Sequence, residues 1–168
     1  MPQESTRSLT VEWEDLTPGL QAVPTMTGLD YIQAVARGDL PGPPIAKLLN
    51  FEFLGVEQGQ VIFGVQPAEY HYNPLGVVHG GLAATVADSA MTCAVLSTAP
   101  VGVSFTTIEL HINYIRPITT ETGYLRCIGN VIYAGRRMAT AEAKLVDEQG
   151  KLYAHATTTC MAVPMKQD

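Results

Sequence analysis

Asp88 is the one charged residue between Gly80 and Thr98, in a run otherwise made of Gly, Ala, Leu, Val, Met, Cys, Ser and Thr. A carboxylate in such surroundings is costly to bury unless it is hydrogen-bonded or used in a reaction. Two reactions suit it: attack on an electrophilic carbonyl, or removal of a proton from water. A purely structural Asp, bonded to a neighbouring hydroxyl or amide, is the alternative. Just upstream stands Asn73-Pro-Leu-Gly-Val-Val-His79-Gly80-Gly81, a loop set by Pro74 and by glycines at 76, 80 and 81.

What positions Asp88 is a helix. The Ala-rich run after Gly80 favours about five helical turns, ending before Pro100. At the helical period, Leu82, Val86, Ala90, Cys93 and Ser97 share one small apolar face suited to packing on a sheet. Gly81, Ala84, Thr85, Asp88 and Thr92 share the other, with Thr85 and Thr92 within a turn of Asp88. A surface helix carries a charged face. This one has none, so the rest of the chain is expected to wrap it.

The remaining sequence supplies that wrapping. Leu29 to Arg37 has helical spacing and stops at Gly38, and a short helix, Ile45 to Leu49, follows the Pro-Gly-Pro-Pro loop at 41–44. Phe51–Glu57 and Gln60–Val65 are strand-like and joined by a turn at Gln58-Gly59. After the helix, Ser104 to Arg116 alternates, with Ile108, Leu110, Ile112 and Tyr114 on one face and Thr107, Glu109, His111 and Asn113 on the other. Gly123–Tyr133, Met138–Val146 and Lys151–Val163 read as three further strands. The sum is an α+β domain, an antiparallel sheet curled around one helix. Residues 1–28 are polar and Pro-punctuated, an arm or cover rather than core. No internal repeat is visible.

Composition narrows the function classes. The 168 residues suit one domain, and 10 Lys+Arg against 16 Asp+Glu give a net charge of −6, against general nucleic-acid binding. No apolar run is long enough to span a membrane, and the N-terminus lacks the layout of a signal peptide. Cys93, Cys127 and Cys160 are odd in number and lack metal-ligand spacing, so they read as buried free thiols and the cytoplasm is the default compartment. No metal or cofactor is expected. His71, His111, Glu109 and His155 have no spacing that singles them out.

Asn73-x-x-Gly76-x-x-His79-Gly80-Gly81 followed by Asp88 resembles the signature of hotdog-fold acyl-CoA thioesterases of the PaaI type. Ile115-Arg116-Pro117, Gly135-Arg136 and Gly150-Lys151-Leu152 are also placed as in that family. The resemblance covers roughly Leu48 to Val163, which implies an N-terminal arm over residues 1–47 and a hotdog domain over 48–168. It implies a sheet wrapped around one central helix, assembling as a homodimer or homotetramer. By the same resemblance, Asp88 is the nucleophile or general base, and the Gly80 backbone N–H at the helix N-terminus is the oxyanion donor. Asn73 and His79 would orient the water or the thioester and shape the loop, although His79 suits an alternative role satisfying loop carbonyls. Thr107, with Thr106 as the register-shifted alternative, would bind the attacking water. Gly81 and Thr92 would contact substrate, and Arg136 and Arg137, with Arg116 as a further candidate, would meet the phosphates of coenzyme A.

Two function classes follow from this set. One is an acyl-CoA or aryl-CoA thioesterase whose site is shared between subunits, its pocket walls drawn from the helix, the partner's strands and the Leu29–Leu49 segment. The other is a non-catalytic hotdog protein that binds an acyl or aryl thioester, or a lipid, in the same groove. The combination of Asn73, His79, Gly80 and Asp88 favours the enzyme, since a binding module needs no carboxylate aimed at the thioester. A hydratase of the same fold is the weakest reading, because no His-Asp or His-Glu motif of that kind is present.

Overall fold

The computed structural model describes residues 6–165. Its elements, in chain order, are α1 (Thr17–Ala22), α2 (Gly28–Arg37), α3 (Pro44–Leu49), β1 (Phe51–Glu57), β2 (Gln60–Val65), α4 (Gly80–Leu96), β3 (Val103–Tyr114), β4 (Leu125–Ala134), β5 (Met138–Asp147) and β6 (Leu152–Pro164). The six strands form one antiparallel sheet in the order β1-β2-β4-β5-β6-β3. The sheet curls around α4, the hotdog arrangement. No helix among the described residues is long and apolar enough to cross a membrane.

Small residues explain why α4 lies so close to the sheet. Val86, Ala90, Met91, Ala94 and Val95 are fully buried on its inner side. Opposite them, Gly129 of β4 sits where a Cβ would come within 2.5 Å of the Ala90 carbonyl. A glycine there lets the helix backbone touch the strand. Burying side chains such as Val86 and Met91 contributes about 1.5–3 kcal/mol each. The helix also ends without loose polar groups. Ser97, buried in the last turn, donates to the Ala94 carbonyl (2.6 Å) and accepts from the Gly59 N–H (2.7 Å), tying α4 to the β1–β2 turn.

The N-terminal helices are fastened to this body at one point above all. The Gly28 N–H donates to the Ala99 carbonyl (3.0 Å), and a Cβ on Gly28 would lie 1.7 Å from the Leu96 carbonyl oxygen. The start of α2 is thus in backbone contact with the end of α4. Thr27 caps α2 by accepting from the Asp30 N–H, and Gly38, at φ +80°, terminates it. The half-buried Gln33 donates to the Val56 carbonyl of the edge strand β1 (3.4 Å).

Two expectations change. The first 28 residues contain a helix, α1, with a proline in its first turn. More consequential is a bulge in β3, where pairing with β6 slips between Thr107 and Glu109. The uniform alternation expected along this strand is therefore wrong. Ile108 is exposed rather than inward, while Thr107 shares the inward side with Phe105 before the slip and Leu110 and Ile112 after it. An extra residue re-aims side chains in this way without any change in hydrophobic pattern.

Candidate functional site

The loop before α4 is held by its own residues. The Asn73 carboxamide oxygen accepts from the Leu75 N–H (2.9 Å), closing a turn that Gly76, at φ +77°, completes. His79 is the N-cap of α4, its Nδ1 accepting from the Gly81 N–H at 2.9 Å. That bond assigns the ring proton to Nε2. The Leu82 N–H donates to the His79 carbonyl (3.0 Å). Gly80 is left as the helix-terminal donor whose N–H has no acceptor among the described residues. Gly80 and Gly81 lie outside the left-handed region, so the turn does not require a glycine at either. What presses on Gly80 is the Tyr114 ring, 2.9 Å from where a Cβ would stand, with the Tyr114 hydroxyl donating to the Gly80 carbonyl (3.2 Å).

Two helical turns further on, a chain of hydroxyls reaches Asp88. Thr107 donates to Asp88 Oδ1 at 2.7 Å, and Thr92 Oγ1 lies 2.8 Å from Thr107 Oγ1. Since the Thr107 proton goes to the carboxylate, Thr92 supplies the proton of the second bond. This arrangement exists because the bulge turns Thr107 inward. Thr106 is exposed. Thr85 was expected beside Asp88, but its hydroxyl turns back onto the Gly81 carbonyl (2.9 Å). Cys93 is half-buried beside these groups, and desolvation, with the Asp88 charge adding to it, pushes its thiol up to about 12. It is inert as a nucleophile at neutral pH.

Asp88, Thr92 and Thr107 open into a cavity of about 470 Å³. Leu16 at the N-cap of α1, Leu20 within it, and Tyr31, Ile32 and Val35 of α2 line it. Sequence reasoning anticipated the α2–α3 segment as a pocket wall and missed α1. The i, i+4 spacing of Leu16 and Leu20 around Pro18 was the available signal. Tyr114 was also missed as the neighbour of Gly80. Tyr31 is half-buried, and its phenol is held above the ordinary range by burial, with Cys93 contributing.

Thr106 also lines this cavity, and the other candidates stand apart from it. Asn73, His79 and Gly80 gather at the N-terminus of α4, where Gly80 and His79 share a shallow groove with Tyr114 and Arg116. Arg116 donates to the Leu152 carbonyl. Arg136 and Arg137 are exposed in the turn between β4 and β5. No group of three or more His, Cys, Asp or Glu among the described residues could hold a metal ion.

Comparison with known proteins places the chain in a family. Residues 75–154 match the family model described as the thioesterase superfamily. Acyl-coenzyme A thioesterase 13 of Mus musculus is 30% identical over 101 residues, covering 60% of this chain and 71% of the mouse protein. The 1,4-dihydroxy-2-naphthoyl-CoA hydrolase of Listeria monocytogenes is 25% identical over 109 residues, covering 64% of this chain and 86% of that enzyme. Among solved structures, a phenylacetic acid degradation-related protein of Ralstonia eutropha superposes with a TM-score of 0.71 at 29% identity, covering 78% of this chain and 98% of the other. The chain belongs to the thioesterase superfamily and is a thioester hydrolase.

Proposed function

We propose that this protein hydrolyses acyl-CoA thioesters, with Asp88 as nucleophile or as general base for water and the Gly80 N–H as donor to the developing oxyanion. The observation that carries the reading is the Asp88–Thr107–Thr92 chain, a carboxylate oriented by a hydroxyl at the mouth of an apolar cavity. Thr107 holds one carboxylate oxygen, leaving the other to face the acyl carbon or a water beside it. The Gly80 N–H lies at the positive end of the α4 dipole, where negative charge is favoured. Glycine suits that place because it has no Cβ to obstruct a carbonyl approaching the backbone.

The two groups do not act on one thioester from one chain. They lie eight residues apart on a straight helix, about 12 Å at 1.5 Å per residue. A reacting carbonyl has to sit roughly 3 Å from both nucleophile and oxyanion donor. The separation therefore favours a dimer in which Asp88 of one copy meets Gly80 of the other. The seam suits β3, a twelve-residue strand at the open edge of the sheet. His79 then serves as a cap that leaves the Gly80 N–H free, and Arg116, Arg136 and Arg137 are the candidates for the coenzyme A phosphates.

The test is steady-state hydrolysis of a panel of acyl-CoAs by the wild type and Asp88→Asn. Asn is nearly isosteric and still accepts from Thr107, so the fold survives. The expected result is kcat lowered by on the order of a hundredfold or more with acyl-CoA affinity nearly intact. A folded Asp88→Asn protein with unchanged kcat contradicts the mechanism. A protein that binds acyl-CoA and turns none over supports the binding-module alternative.

A further inference from the structure

The cavity beside Asp88 is walled on one side by residues outside the family-matching span of 75–154. Facing α1 and α2 across it are Phe51, Phe53, Phe63 and Phe105, all four phenylalanines of the chain. Three of them pack together: the Phe63 ring meets Phe51 edge-on, with centroids 5.3 Å apart, and lies 4.3 Å from Phe53. Among the described residues of one chain, no Lys, Arg or His lines the space, and the charged group in its wall is Asp88.

The two N-terminal helices contribute differently. α2 is fixed through the backbone contact at Gly28, so Val35 is a rigid part of the wall. α1 is a six-residue roof. Leu20 is 66% exposed, Leu16 is half-buried, and the buried Gly19 rests near the Tyr31 hydroxyl and Pro41.

Resting on the acyl-CoA thioesterase reading, we propose that residues 16–35 are this chain's specificity element. The cavity takes an uncharged hydrocarbon acyl group, and Val35 and Leu16 set the length accepted. The carbonyl carbon has to lie beside Asp88, so the acyl group enters the cavity while the coenzyme A moiety, polar and charged, stays outside. Each methylene that leaves water for an apolar wall strengthens binding by about fourfold. An acyl group ending in a carboxylate meets the opposite situation, a buried negative charge with no cation to pair and Asp88 nearby. Acetyl, hexanoyl and dodecanoyl groups are therefore distinguished by length, and succinyl is rejected by charge.

The experiment compares kcat/KM for acetyl-, hexanoyl-, dodecanoyl- and succinyl-CoA in the wild type, Val35→Phe and Leu16→Ala, with melting temperatures measured alongside. The wild type is expected to prefer hexanoyl- over succinyl-CoA by at least about a hundredfold. Val35→Phe fills the wall and shifts the dodecanoyl-to-acetyl ratio downward by about tenfold or more, while Leu16→Ala opens the roof and shifts it upward. Opposite shifts are something a merely structural role does not produce. Ratios that stay constant while all rates fall together, or succinyl-CoA used as well as hexanoyl-CoA, overturn the proposal. If the wild type hydrolyses none of these esters, the function reading fails and the cavity is read instead by calorimetric titration with octanol. Binding weakened by Val35→Phe then supports the pocket, and binding unaltered by it overturns the pocket.

Discussion

Thr107→Val tests the hydroxyl that holds the Asp88 carboxylate. The substitution keeps the shape of the side chain and removes one hydroxyl, which donates to Asp88 Oδ1 at 2.7 Å and lies 2.8 Å from the Thr92 hydroxyl. A hydrogen bond to a charged group is worth about 1.5–3 kcal/mol. If that bond fixes the carboxylate in its reactive orientation, its loss converts to about ten- to a hundredfold in kcat. Stability should change by only about 1 kcal/mol, because Thr92 and Asp88 both border a cavity that water can enter. Thr107→Ser keeps the hydroxyl and should recover most of the turnover. The assay is release of the coenzyme A thiol under saturating substrate, with a thermal melt of each variant. A Thr107→Val enzyme with wild-type kcat, or a Thr107→Ser enzyme as impaired as Val, refutes the orienting role.

Other outcomes follow from the same structure. Gly28→Ala places a Cβ 1.7 Å from the Leu96 carbonyl oxygen and should destabilise the fold by about 2–4 kcal/mol, read as a lower melting temperature. Gly80→Val meets only the movable ring of the exposed Tyr114, so it should lower turnover and acyl-CoA affinity together while the melting temperature changes little; early melting with normal turnover per folded molecule removes Gly80 from the site. Burial pushes Cys93 and Cys127 up to about 12 and raises Cys160, so none should react with iodoacetamide at mildly alkaline pH until the protein is unfolded. Burial also depresses His71, with the Leu49 carbonyl partly offsetting it, so the folded protein binds this proton less tightly than the unfolded chain, whose ordinary value is 6.5. This contribution is complete above pH 6.5 and is lost as pH falls through the depressed value; His71→Asn should flatten that acid-side slope of the melting temperature.

The strands and α4 were legible because each carries its own local signal. β1 and β2 follow from two apolar runs around Gln58-Gly59, and α4 from an uncharged Ala-rich run between a glycine loop and Pro100. The chemistry was only half legible. Asp88 stands out by charge alone, and Thr107 could be named, yet the alternation of Ser104 to Arg116 put it on the wrong face. The bulge at Ile108 is set by pairing with β6, some fifty residues away, and leaves no trace in the strand's own hydrophobic period. Asn73 and His79 show the reverse case. Their spacing marks the loop, while the structure uses the Asn73 side-chain oxygen and His79 Nδ1 to hold backbone N–H groups. α1 offers only the Leu16–Leu20 pair around Pro18, because six residues are too few to establish a full period.

Mixed dimers test directly whether Asp88 of one chain works with Gly80 of another. Asp88→Asn and Gly80→Val are each expected to be nearly inactive alone. Co-expressed with different tags and purified through both, the mixed dimer carries one doubly altered site and one intact site if the two groups come from different chains. The predicted result is recovery of about half the wild-type kcat per dimer with hexanoyl-CoA. If the mixed dimer is as inactive as its parents, both groups serve a site within one chain, and the shared site is wrong.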